Sequence, residues 1–180
     1  MTSANSATSA PGAQSAQNAQ SAQRVEWMLR PAAAADVEPI AELRALVMRP
    51  DLVRLGRYDE HRVRQRFRDA FDARHTCVVT VGGDLAGCLT VRPVDTGLWL
   101  EHFYLAPHVQ GRGLGSAVLR SVLARADAEG AAVGLVVLQG SPARRLYERH
   151  GFVMAAEDPV DVTMTRPVAR TATATAAPNA

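Results

Sequence analysis

An α/β fold on one domain is predicted by three observations: apolar strand-like runs alternate with amphipathic helical stretches, a glycine cluster stands at one strand-to-helix junction, and 180 residues with 47% hydrophobic content suffice for one core. The junction carries most of the functional information. Residues Leu98 to Leu105 are rich in aromatic and large apolar side chains, follow Gly97 and end before Pro107, as a strand buried on both faces would. Downstream, Leu114, Val118 and Val122 recur at four-residue steps beside Leu119, Leu123 and Ala126, until Gly130 stops the pattern. A helix therefore begins inside Gln110 to Gly115, where three glycines fall within five residues. Such a loop lets backbone approach a ligand without obstruction by Cβ atoms. The unpaired N–H groups of the first helical turn then face outward at the positive end of the dipole, which suits a pyrophosphate.

Two other phosphate loops do not fit. The chain contains no lysine, so the Gly-Lys-Ser/Thr of a nucleotide-hydrolysing loop is absent. A Gly-x-Gly-x-x-Gly dinucleotide fingerprint begun at Gly111 meets Ser116, and one begun at Gly113 meets Val118.

Element by element, a first strand is expected near Trp27 to Arg30, then a helix capped by Asp36 with Val37, Ile40, Leu43 and Val47 as its stripe. Pro39 is tolerated in a first turn. Met48 to Tyr58 reads as a loop, and Asp59 to Phe71 as a helix with Val63, Phe67 and Phe71 inward and Arg62, Arg64, Arg66 and Arg68 outward, a face that could guide an acidic or phosphate-bearing partner but is read first as a solvated basic face. Thr76 to Val81 and Leu85 to Arg92 form a hairpin around Gly82 and Gly83; with a two-residue turn, Cys77 and Cys88 would lie opposite each other. Beyond the strand at Leu98 and the helix ending near Gly130 come a strand at Val133 to Leu138, a helix from Pro142 to Arg149, and strands near Phe152 and Val162 to Arg166.

The flanks differ in kind. Residues 1–23 hold no charged and, after Met1, no large apolar residue, and 169–180 repeat Thr-Ala, so both are expected to be disordered tails around a domain at 24–168. The first stretch has neither the basic start nor the apolar centre of a secretion signal, and no eighteen apolar residues run together, so a soluble, cytoplasmic protein without membrane contact is expected. Every Lys/Arg position is arginine; with the abundance of alanine this suggests a GC-rich bacterial genome rather than nucleic-acid binding, and the net charge is only +2. Cys77 and Cys88 lack the spacing of a zinc or redox pair, and the histidines form no metal-spaced set, so free thiols and no metal are expected.

Gln110-x-x-Gly113-x-Gly115 after an apolar strand resembles the acyl-coenzyme A signature of the GCN5-related N-acetyltransferases (GNAT). The later block from Leu135 to Phe152, ending in Leu-Tyr-Glu-x-x-Gly-Phe, is similar to the same family's strand and short helix. This resemblance implies a GNAT-like mixed, mostly antiparallel sheet of six to seven strands, splayed at the fourth and fifth strands and flanked by about four helices. It implies acetyl-coenzyme A as co-substrate, lying in the splay, with contacts from Phe103, Tyr104 and Leu105, from Gln110, Gly111, Arg112, Gly113, Leu114, Gly115 and Ser116, and from Ser141, Arg144 and Tyr147. Many members have asparagine where this chain has Ser141.

Acetyl transfer to an amine needs a neutral nucleophile, stabilisation of developing negative charge, and a proton for the departing thiolate. Backbone N–H groups near Leu105 would hold the thioester carbonyl, and Tyr147 would be the general acid, as the resemblance implies. Glu101 is the candidate base, placed by regular alternation on one face with Trp99, Phe103 and Leu105; the alternative is an ion pair with an arginine or a hold on the substrate ammonium. His102 would then point to the opposite face. Arg49, Asp51, Tyr58, Glu157, Asp158 and Asp161 are candidates for the acceptor wall. The expected activity is direct acetyl transfer to a small-molecule amine by a monomer or homodimer. A protein or peptide acceptor, and a catalytically silent acyl-coenzyme A sensor, are the alternatives.

Overall fold

The computed structural model describes residues 26–168; both expected tails lie outside the described residues. Seven strands form one sheet: β1 (Trp27–Pro31), β2 (Thr76–Val81), β3 (Asp84–Val94), β4 (Gly97–Leu105), β5 (Val133–Leu138), β6 (Val153–Glu157) and β7 (Asp161–Arg166), in the order β1-β2-β3-β4-β5-β7-β6. Only the β4–β5 pair is parallel. Four α-helices flank it: α1 (Val37–Arg54), α2 (Glu60–Ala70), α3 (Leu114–Ala128) and α4 (Ala143–Arg149). The element order is the expected one.

Successive residues of a strand face opposite sides of a sheet, and the two cores follow that rule. Val79 joins Val118, Leu119, Leu123 and Ala126 of α3, whereas its neighbour Val78 packs with Ile40 and Ala41 of α1, Phe67 of α2, and Cys88. Asp59 caps α2 by accepting the Arg62 N–H at 2.7 Å.

Three local expectations are corrected. Asp36 does not cap α1: its carboxylate takes the Ala33 N–H at 2.8 Å and both terminal nitrogens of Arg30, at 2.8 and 2.7 Å, closing a 3-10 turn ahead of the helix. Met48 to Arg54 is helix rather than loop, with Pro50 inside it. Proline forfeits one helical hydrogen bond there, yet Arg54 ties the segment down by bonding Asp51 at 3.0 Å and the Gln139 carbonyl across the sheet opening. The hairpin does turn on Gly82 and Gly83, with φ of 60° and 92° as a type I′ turn needs. A bulge between Val79 and Thr80 on one side and Gly87 and Leu85 on the other then shifts the register, pairing Cys77 with Leu89 and Cys88 with Val78. The cysteines therefore face opposite sides of the sheet. Burial pushes the Cys88 thiol up to about 12 and raises that of Cys77, so both stay protonated.

Phe67 is fully buried and meets the His102 ring edge-on at 5.1 Å. Phe67→Ala is expected to cost about 3–5 kcal/mol, read as a lower midpoint in urea denaturation followed by circular dichroism.

Candidate active site

Parallel pairing between β4 and β5 covers only Leu98–Val133, Trp99–Gly134 and Leu100–Leu135. Beyond those pairs β4 continues to Leu105 and β5 to Leu138 without pairing, and a cavity of about 1020 Å³ opens there. The facing strand edges carry backbone N–H and C=O groups with no ladder partner, which an extended ligand could use as a third strand.

On its other edge β4 pairs with β3, and there it bulges. Thr90 opposes Glu101 and Cys88 opposes Tyr104, so Leu89 alone spans His102 and Phe103. His102 sits in the left-handed region at φ 52°, a conformation that costs a non-glycine residue about 1–2 kcal/mol. The bulge overturns the regular-strand expectation. Glu101 shares its face with Tyr104 through the Thr90 and Cys88 register, while Phe103 and Leu105 pack on the α3 side. His102 falls on the Glu101 side, between Phe67 and Tyr104.

A polar chain runs along this face. Arg44 Nε donates to Tyr104 Oη at 2.8 Å, and Tyr104 Oη lies 3.1 Å from His102 Nδ1. The tyrosine oxygen accepts from arginine and its hydrogen is free to bond Nδ1, an arrangement that would put the imidazole proton on Nε2. That atom is buried with no partner among the described residues. Burial lowers the His102 pKa and keeps the ring neutral; burial likewise pushes the Tyr104 phenol up to about 12.

Glu101 does not stand alone among apolar groups. Arg92 grips its carboxylate with Nε at 2.6 Å and Nη2 at 3.2 Å, which is the ion-pair alternative weighed from sequence. Glu101 still lines the cavity. Tyr147, from α4, lines it too; its ring stacks edge-on against Phe152 at 5.7 Å, and its hydroxyl has no hydrogen-bond partner among the described residues. Burial raises its pKa, so the phenol is a proton donor and not a phenolate.

The glycine loop precedes α3 as expected. Gly111 and Gly113 have φ of 72° and 82°, Gly113 is the N-cap residue, and no side chain caps the helix. Both conformations need glycine, and the uncapped first turn leaves its N–H groups to a ligand. Arg112 is exposed and makes no ion pair among the described residues. The other predicted cofactor contacts sort themselves. Gln110 lines the cavity and donates Nε2 to the Leu105 carbonyl at 2.6 Å, tying the loop to the end of β4. The Leu114 side chain is buried in the core, so only its backbone is open to a ligand. Gly115 lies over Leu105 and Leu146, and Ser116 Oγ is 3.1 Å from His150 Nε2. Phe103, Tyr104, Leu105 and Ser141 line the cavity. Arg144 instead pairs with Glu148 at 2.8 Å beside a smaller cleft.

Of the expected acceptor wall, Asp51, Asp158 and Asp161 line the cavity. Arg49 instead lies over the Tyr58 ring at 5.3 Å, and Glu157 receives the Gln139 amide at 3.1 Å. Sequence reasoning missed Arg44, Arg57, Arg62 and Arg66, all cavity residues. A signal was present for two of them: residues four apart share a helix face, so Arg62 and Arg66 belong to one side of α2 and Arg64 and Arg68 to the other. Arg64 and Arg68 are bound by Glu42 and Glu38 of α1 at 2.6 and 2.7 Å, a finding that replaces the single solvated basic face. Among the described residues no group of three His, Cys, Asp or Glu side chains could hold a metal, and no helix is long and apolar enough to cross a membrane.

A splayed sheet with an unpartnered tyrosine hydroxyl in its opening, beside a glycine-capped helix start, agrees with the acyltransferase class that the resemblance implied. Residues 40–152 match the family model described as Acetyltransferase (GNAT) family, and the chain belongs to that family. It is thus placed among the acetyltransferases, whose reaction is acyl transfer. Among solved structures it is similar to the PaiA N-acetyltransferase from Thermoplasma acidophilum in complex with coenzyme A: 17% identity, 79% of this chain and 99% of that one, TM-score 0.66. It is also similar to the ribosomal-protein-S18-alanine N-acetyltransferase from Escherichia coli (18% identity, 80% and 95%, TM-score 0.60) and to Ard1 from Thermoplasma volcanium (21%, 79% and 98%, TM-score 0.59). No curated protein is matched by the sequence.

Because the His102 pKa is lowered in the fold, the unfolded chain binds a proton that the native protein refuses once pH falls below about 6.5. Stability is thus level above that pH and declines below it. His102→Asn, which tolerates the left-handed backbone, is expected to flatten that decline in denaturation midpoints measured from pH 7 to pH 5; an unchanged slope would refute the assignment.

Proposed function

We propose that this protein is an acetyl-coenzyme A-dependent N-acetyltransferase that moves the acetyl group directly to the amine of a small molecule. The observation that carries the reading is the opening between β4 and β5, lined by an unpartnered Tyr147 hydroxyl and flanked by the uncapped glycine start of α3. The residues present suit the co-substrate: first-turn N–H groups and Arg112 for phosphates, and unpaired strand edges for the amide-bearing arm. When bound, it supplies an acetyl thioester. Tyr147 keeps its proton at Oη, the one available to a departing thiolate. Backbone N–H groups of β4 past the bulge are the donors for the carbonyl oxygen. Glu101, held in place by Arg92, accepts the surplus amine proton through water. Neither cysteine lines the cavity, in keeping with transfer without a covalent enzyme intermediate.

A small acceptor is favoured over a peptide by the roof of the cavity. The second half of α1 contributes Met48, Pro50 and Asp51 to its lining, and Arg54 bridges from α1 to the Gln139 carbonyl, which narrows the groove a peptide would need.

Calorimetry is expected to show saturable acetyl-coenzyme A binding that Gly113→Asp abolishes, since a carboxylate and a strained backbone would replace the anion site. No binding by the wild type sinks the proposal. In a thiol-release assay Tyr147→Phe is expected to lower kcat about a hundredfold with little change in the acetyl-coenzyme A KM. Its denaturation midpoint should hold, because the hydroxyl loses no protein partner; undiminished turnover removes Tyr147 from catalysis.

A further inference from the structure

Arg44 rises from α1 into the protein and is only 8% exposed. Its Nε donates to Tyr104 and its Nη1 to the Val63 carbonyl, yet no carboxylate among the described residues pairs with it, and Nη2 makes no hydrogen bond. A guanidinium stripped of water is ordinarily matched by a carboxylate, because desolvating a lone cation is costly. Arg44 nevertheless lines the cavity without one.

The same wall carries Arg62 and Arg66, one turn apart on α2, and Arg57 from the segment before it. None of these three guanidinium groups makes a hydrogen bond or ion pair with another described residue, whereas Arg64 and Arg68 on the other side of α2 are both neutralised by α1. Asp51, Asp59, Glu101, Asp158 and Asp161 share this lining, with Asp51 and Glu101 already bound by Arg54 and Arg92, so the buried Arg44 is the cation that an entering oxyanion would match. The phosphates of the co-substrate are assigned elsewhere: Gly111 to Ser116 and Arg112 lie outside the cavity lining, beyond Gln110. Asp161, at the start of β7 and within reach of the Arg66 charge, offers a half-buried carboxylate whose side chain makes no hydrogen bond among the described residues.

We propose that the acceptor is an amine that also carries an oxyanion, a carboxylate or a phosphate, gripped by Arg44 with Arg62 and Arg66 while its amino group faces Asp161. This assignment rests on the acetyl-transfer reading. It also gives the charges of one cavity separate roles, the arginines toward the oxyanion and Asp161 toward the amine. Arginine suits either oxyanion, because its planar fork matches both geometries.

Thiol release from acetyl-coenzyme A is to be measured with α-amino acids and with O-phosphorylated amino alcohols, each beside the amine lacking the oxyanion. One oxyanion series is expected to exceed its stripped counterparts in kcat/KM by about tenfold or more, and which series does so distinguishes carboxylate from phosphate. In the double variant Arg62→Ala/Arg66→Ala, two exposed positions that spare the core, the acceptor KM is expected to rise about tenfold while the calorimetric affinity for acetyl-coenzyme A holds. Arg44→Lys, which keeps the charge and loses the fork, is expected to raise the same KM. Equal or better turnover of the stripped amines overturns the proposal. So does a double variant that weakens acetyl-coenzyme A instead of the acceptor, or a wild type that binds acetyl-coenzyme A and acetylates no oxyanion-bearing amine. Failure to bind acetyl-coenzyme A at all overturns the transferase reading, and this one with it.

Discussion

After Leu100 and Leu135 the two parallel strands at the centre of the sheet stop sharing hydrogen bonds, and what the molecule can do depends on that divergence. A sheet interior is normally the last place to leave backbone groups unpaired, because each orphaned donor or acceptor that is kept from water costs on the order of 1–3 kcal/mol. Here the debt is carried by a ligand-sized opening. β4 remains anchored by β3 along its other edge, and β5 by β7 along its full length, so neither strand can swing across to close the gap. The His102 bulge belongs to the same arrangement: it twists β4 where pairing with β5 ends and turns Tyr104 toward Arg44 while sending Phe103 and Leu105 toward α3.

Around the opening, charge is sorted rather than scattered. Glu101 is matched by Arg92, and Glu38 and Glu42 are matched by Arg68 and Arg64. Arg44, Arg57, Arg62 and Arg66 make no ion pair among the described residues, and Asp161 lines the same cavity. The exposed pairs each contribute little to stability, about 0–1 kcal/mol. They neutralise the side of α2 that meets α1 and leave Arg62 and Arg66 unpaired at the cavity. Arg44 matters most among these because it is buried, with its Nε held by the Tyr104 hydroxyl that also bonds His102.

How far the chain could be read without coordinates varied with the range of the interactions involved. The α3 stripe, the glycine start at Gly113, the Gly82–Gly83 turn and the order of strands and helices were all legible, because backbone conformation and amphipathic spacing are properties of a few neighbouring residues. The loop expected from Met48 failed on range: α1 runs on past Pro50 to Arg54, whose contact with Gln139, far along the chain, no local pattern announces. The cysteine register and the face of Glu101 failed on bulges, since one extra residue inverts every side chain beyond it and alternation alone cannot reveal the insertion.

Sequence by itself determined that one α/β domain presents a glycine-started helix beside an apolar strand, with a tyrosine-bearing block to follow, because these features are written in contiguous residues. Tertiary structure alone decided that Glu101 is held by Arg92, that His102 is buried and neutral, and that Arg44, Arg57, Arg62 and Arg66 meet around one cavity. Those outcomes depend on which elements the sheet brings face to face and on how much water each charge loses there, and neither quantity exists until the chain has folded.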